Sequence, residues 1–223
     1  MTPQRKPYAR PKVGVLAVVA LLAAGLAYEM AVQSPALMST ASAAALPKEV
    51  ANKLGTDPGA PSGGNPVGSV TVVEFFDYRC PYCRTMQTAL DALTAKDRRV
   101  RLVFKEWPIF GGASVTAARI ALAAGWQGKY AAVHEALFKL PRTMDEAAIR
   151  TAAGAAGVDM ARLDRDLAAR SGELDAALAK VDVEARMIGF QGTPGFVVGR
   201  FVAPGAVPPA EMDKLVERAV RER

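Results

Sequence analysis

Two cysteines and one histidine are all that 223 residues contain, and this scarcity removes several kinds of chemistry. A structural zinc site takes four ligands, which Cys80, Cys83 and His134 cannot complete, so no metal centre is expected. Covalent haem attachment needs a histidine directly after the second cysteine, and Arg84 stands there. A purely structural Cys80–Cys83 bridge would close a very small ring, and loop size is the source of a staple's stabilisation. No repeat period is visible, which argues against a repeat array. Acids are absent from Met1 to Lys12, and charge of either sign is absent from Val13 to Tyr28.

Those last two absences belong together. Arg5, Lys6, Arg10 and Lys12 ahead of sixteen uncharged residues give the layout of an export signal. The apolar run is short for a membrane span of about 20 residues. Ala41-Ser42-Ala43 offers a small-x-small cleavage pattern, further past the apolar run than is usual. Two readings stand: cleavage near Ala43, or retention as a membrane tether through residues 13–28. Either makes residues 1–43 a targeting segment and puts the cysteines in an oxidising compartment, the periplasm or the outer face of the cytoplasmic membrane. Much of the net charge of +6 is a property of this leader. With its four basic residues and Glu29 set aside, the remainder is nearly neutral at +3. Arg98 to Arg101 then reads as a solvated strand edge, with no nucleic-acid partner.

Residues 44–66 read as a linker, holding a short helix from Lys48 to Leu54 and a Gly63-Gly64-Asn65-Pro66 turn. Residues 67–223 suffice for one domain with a sizeable core. Val70 to Phe76 is a near-continuous β-branched and aromatic run, as in a strand buried on both faces. After it, Cys83, Met86, Leu90 and Leu93 recur at helical spacing, with Pro81 suited to the first turn. The cysteines therefore sit where a strand hands over to a helix. There, unpaired N–H groups and the positive dipole end would stabilise a Cys80 thiolate. Cys80 would attack a partner disulfide and Cys83 would resolve the mixed disulfide.

Arg99 to Trp107 gives a second strand and hence a βαβ unit with parallel pairing. Helical, Ala-rich patterns follow over about 113–189, with a capping box expected at Thr143 to Glu146, a cap at Asp159 and a stop at Gly189. Phe196 to Val198 and Phe201-Val202 are strands, and Pro208-Pro209 opens a last helix. The expected class is α/β, a central mixed sheet with an inserted helical subdomain. This order, with Cys80-Pro81-Tyr82-Cys83 after the first strong strand, Phe104 to Gly111 (FKEWPIFG) and Gly192-Thr193-Pro194-Gly195 before a later strand, resembles the thioredoxin fold of the DsbA-like thiol:disulfide oxidoreductases. The resemblance implies a cis Thr193–Pro194 peptide facing the cysteines, with Thr193 pairing an extended substrate. It also places an acid, Glu74, beneath the cysteines to move the proton of a buried Cys83. A carboxylate in an apolar strand is costly to bury unless paired or protonated, and Lys105 on the next strand is a candidate partner. An edge position, where Glu74 would meet solvent, is the alternative. His134 reads as a helix-surface or packing residue, and Met86 with Tyr82 as an apolar surface around the cysteines.

The expected function is exchange of a Cys80–Cys83 disulfide with cysteines of exported proteins, served by a redox partner that resets the dithiol, with no cofactor. Oxidation of substrates leads. Isomerisation or reduction stays open, because Pro81-Tyr82 places no histidine between the cysteines and Thr193 precedes the proline. A copper-handling dithiol is the alternative from a different class.

Overall fold

The computed structural model describes residues 44–222; the leader expected over residues 1–43 lies outside them. Its sheet is built from β1 (Ser62–Gly64), β2 (Val70–Phe76), β3 (Val100–Glu106), β4 (Gly195–Val198) and β5 (Phe201–Pro204), in the order β1-β3-β2-β4-β5. β2 and β3 pair in parallel, and the other pairings are antiparallel. Parallel neighbours need a crossover, which α2 (Pro81–Lys96) supplies, whereas β4 and β5 need only a hairpin turned at Gly199. Before β2 lies α1 (Lys48–Gly55), and after β5 lies α8 (Pro209–Arg221). Between β3 and β4 the chain forms α3 (Ala113–Gly125), α4 (Tyr130–Lys139), α5 (Glu146–Ala155), α6 (Met160–Ala169) and α7 (Ser171–Ile188). This is the expected insertion.

Strand residues alternate between two apolar layers, as the two-residue period of a pleated strand requires. Val70, Val72 and Phe76 of β2, with Val100, Leu102 and Phe104 of β3, face a core shared with α2, α8 and α3 to α6. Val73, Phe75 and Val103 face a smaller core with Leu54 of α1 and Val181 and Ala185 of α7. Glu74 and Glu106 fall in the first set by alternation, and Lys105 in the second.

Three local expectations are corrected. Residues 44–66 are part of the fold, not a linker. Ala45 bridges to Phe201, and Ser62–Gly64 pairs with Arg101–Val103. The outer edge of β3 would otherwise leave backbone groups unpaired, and three residues suffice to cover part of it. Arg98 to Arg101 is consequently no sheet edge. Arg99 pairs with Asp97 and Glu217, and Arg101 donates to the Gly55 carbonyl. The cap of α5 is Asp145, which accepts from the Ala148 N–H, rather than Thr143. Asp159 does cap α6, and Gly189, at φ 94°, ends α7 in the left-handed region.

Candidate active site

The strand-to-helix turn carries the cysteines. Cys80 is the residue capping α2, Pro81 opens that helix, and its first turn holds no acid that would offset the dipole. Cys80 is 2 % exposed and Cys83 is fully buried. Both are free thiols in the structure. A hydrogen bond from Cys83, with others from the N–H groups of Cys83 and Tyr82, holds the Cys80 thiol down to about 6 against the cost of burial. Burial, the bond to Cys80 and the nearby Glu74 charge push Cys83 up, far above an ordinary thiol. One sulfur is thus prepared to be a thiolate and the other to keep its proton.

Thr193 stands opposite. The Thr193–Pro194 peptide is cis, and the Thr193 carbonyl oxygen lies 3.2 Å from Cys80 Sγ. The glycine that follows has a steric reason: a Cβ on Gly195 would lie 2.8 Å from the Phe190 ring. Tyr82 is 64 % exposed beside the cysteines. Met86 is buried in the core below them, so it does not share the surface expected of it, because its helical position faces the sheet.

Glu74 lies in β2, between β3 and β4, so it is interior and not at an edge. Both its carboxyl oxygens are buried without a hydrogen-bond partner. Burial first, then the charges of Cys80, Glu106 and Asp91, raise it to about 8. Lys105 is not its partner. In the parallel register Glu74 pairs with Phe104 and Lys105 with Phe75, so the lysine points to the opposite face. There Lys105, fully buried, binds Asp57 at 2.5 Å and Glu184 at 2.9 Å. Among the described residues no three His, Cys, Asp or Glu side chains are grouped as a metal centre would need.

Other residues join the site without having been expected. Asp77 accepts from the N–H groups of Arg79 and Phe110 and from the Ser114 hydroxyl, which clamps the loop after β3 against the cysteine turn. That loop presents Ile109 and Phe110, 41 % and 48 % exposed. Glu106, buried, accepts at one oxygen from Tyr78 and Tyr130, each at 2.8 Å. His134 is buried beside them, not on a helix surface. The available signal for Glu106 is the pair of consecutive charged residues, Lys105-Glu106, that ends the apolar run Leu102 to Phe104. Little local marks Asp77 or His134, whose partners apart from Arg79 and Tyr130 lie tens of residues away.

The sequence matches the DSBA-like thioredoxin domain over residues 71–217. The chain belongs to that family. A thioredoxin-like oxidoreductase from Silicibacter pomeroyi DSS-3 is 45% identical to it with a TM-score of 0.73, covering 76% of this chain and 97% of its own. A periplasmic thioredoxin-like protein from Salmonella enterica serovar Typhimurium is 28% identical with a TM-score of 0.65, over 79% and 98% of the two chains. A curated relative, the Na(+)/H(+) antiporter NhaA 1 of Salinispora arenicola, is 32% identical over 132 residues, which are 58% of this chain and 20% of the antiporter. The chain thus spans about a fifth of that relative's length. In the DSBA-like domain described here, the cysteine turn and the Thr193–Pro194 peptide meet at one end of the central strands, and the sheet beneath them carries two buried acids.

Proposed function

We propose that this protein is an exported thiol:disulfide oxidoreductase that introduces disulfides into cysteine-containing proteins. The observation that carries this reading is the asymmetry of the dithiol, with Cys80 held near 6 and Cys83 pushed far up. A substrate thiolate attacks Cys80 of the Cys80–Cys83 disulfide. The bond between the two cysteines breaks, its electron pair goes to Cys83 Sγ, and neutral Glu74 supplies the proton. A second substrate thiolate then attacks the substrate sulfur of the mixed disulfide and expels Cys80 as a stabilised thiolate. A low-pKa leaving thiol stabilises the reduced enzyme and so drives electrons from substrate to Cys80–Cys83. Tyr82, Ile109 and Phe110 offer apolar area to an unfolded chain, and the Thr193 carbonyl offers an acceptor to its backbone. Residues 1–43 would deliver the domain outside the cytoplasm by cleavage or as a tether, where a redox partner reoxidises it.

Equilibration with glutathione tests the direction. We expect a reduction potential above about −200 mV, towards the oxidising end of a range from about −270 mV for thioredoxin to about −120 mV for the strongest oxidants. A value near the thioredoxin end would replace oxidation with reduction or isomerisation. Cys83→Ser should accumulate mixed disulfides through Cys80, detectable on non-reducing gels. Tight copper binding by the reduced protein, without such adducts, would favour a metal-handling dithiol instead.

A further inference from the structure

Glu74 accounts for the proton of Cys83, but a second acid lies in the same interior without an assigned task. Glu106 is 2 % exposed. It pairs with Phe76, as Glu74 pairs with Phe104, so the two carboxyls are diagonal neighbours on one face of adjacent strands. The groups that face this pair are Cys80, Cys83 and, further out, Asp91 from α2, Asp77 and Tyr78 from the cysteine turn, and Tyr130 and His134 from α4. No cation is among them, because Lys105 occupies the other face.

The acids differ in hydrogen bonding. Glu74 has no partner, whereas Glu106 receives the phenols of Tyr78 and Tyr130. The arrangement of those phenols is fixed from outside. Gln87 donates to Asp91 at 3.1 Å, so its carbonyl oxygen accepts from His134 Nε2 at 3.1 Å. His134 Nδ1 must then accept, and Tyr78 and Tyr130 stand 3.0 and 3.3 Å from it. Each phenol has one proton, and at 2.8 Å both lie nearer Glu106 than His134, so a charged Glu106 takes them first. Burial holds His134 down to about 3, which keeps it a neutral acceptor.

We propose that Glu74 and Glu106 share one proton in the reduced enzyme, and that the tyrosine–His134 network draws the negative charge to Glu106 so that Glu74 keeps the proton beside Cys83. The inference rests on the thiol:disulfide reading. Hydrogen bonds to a charged carboxylate favour that form, and two like charges in one buried space disfavour each other. Burial raises both acids to about 8, and the Glu106 charge contributes to the rise at Glu74. When the Cys80–Cys83 bond opens, Glu74 gives its proton to the Cys83 thiolate and takes another from solvent. When it closes, Glu74 first returns its proton to solvent; Cys83 then attacks Cys80 of a mixed disulfide, the substrate sulfur leaves with the electron pair, and the Cys83 proton passes to the Glu74 carboxylate. Glu106 acts through Glu74 and is a positioning residue.

The test is a carboxyl ¹³C NMR titration of Glu74 in the reduced full-length protein, wild type and Glu106→Gln, alongside the pH dependence of disulfide opening. Loss of the Glu106 charge should lower the Glu74 midpoint by about one pH unit, and the pH at which the opening rate falls should move with it. Tyr130→Phe should shift both in the same direction by less, and it serves where Glu106→Gln does not fold. An unmoved midpoint in a folded variant, with only a lower melting temperature, would make Glu106 a packing residue and overturn the proposal. A moved midpoint in a protein that exchanges no disulfides would keep the acid pair and reject the oxidoreductase reading.

Discussion

Lys105 and Glu106 are consecutive residues of one strand and are buried on opposite faces of the sheet, where burial is handled in opposite ways. On the α7 face, Lys105 sits between Asp57 and Glu184, and Lys180 closes the group from outside. On the cysteine face, Glu74 and Glu106 share an interior with thiols and phenols but no cation. The first arrangement neutralises charge where it lies. It also fastens residues 57–62 and α7 to the strand. The second leaves acids whose protonation responds to their neighbours, which is of use only where protons move. A buried charge therefore says little about function until its face is known.

The largest effect expected from breaking this contrast is on the paired face. Lys105→Met removes the buried cation and leaves Asp57 and Glu184 only Lys180, which reaches them from the solvent side, and removal of one partner of a buried pair costs up to about 3–5 kcal/mol. Urea denaturation should register that loss, while the Cys80–Cys83 potential of the folded protein stays within about 10 mV, far below the 30 mV that marks about 1.4 kcal/mol. Next comes Glu74→Gln. It removes the proposed proton donor and keeps the shape, so disulfide opening should slow by about 10²-fold, worth about 2.7 kcal/mol, with the fold intact. Stopped-flow kinetics with unchanged rates would deny Glu74 its role.

Stability against pH sharpens the comparison further, because the two faces carry opposite signs. Glu74, which keeps the shared proton, has a folded value of about 8 against an ordinary 4.5. Between those values the folded state binds more protons, so stability is full below pH 4.5 and falls as pH rises to about 8. The slope is at most about 1.4 kcal/mol per pH unit for each proton. Burial opposes charging of Asp57, but its bonds to Lys105 and Lys180 win and lower it from 3.8 to about 2. Its contribution is present above pH 3.8 and is lost as pH falls towards 2. Melting curves across this range should show an acid limb that Lys105→Met reduces and a neutral-to-alkaline decline that Glu74→Gln reduces. The smallest effect lies at the surface. Tyr82→Ser should raise KM for an unfolded substrate a few-fold, about 1 kcal/mol or less, because an exposed side chain loses only part of its apolar burial.

Much of this was legible in the chain itself. Runs such as Val70 to Phe76 fix a strand by composition, and the turn Cys80 to Cys83 follows from a strand meeting a helical period. Asp159 and Gly189 mark helix ends through contacts within a few residues. Expectations failed where the partner is remote. Thr143 fits the capping-box spacing to Glu146, yet the cap is Asp145, and Ser62–Gly64 reads as part of a linker because three small residues have no strand signature of their own. Glu74 and Lys105 invited a pairing by proximity in the sheet, and the register separated them by one residue.

What the sequence determined by itself was local: two thiols at a helix start, a proline behind Thr193 and acids inside apolar strands, each set by short-range sterics and periodicity. Only the tertiary structure decided which acid meets which proton. A slip of one residue between β2 and β3 exchanges the faces of every side chain, and the bonds from Asp91 through Gln87 and His134 to the tyrosines and Glu106 join segments that nothing in their own neighbourhoods connects.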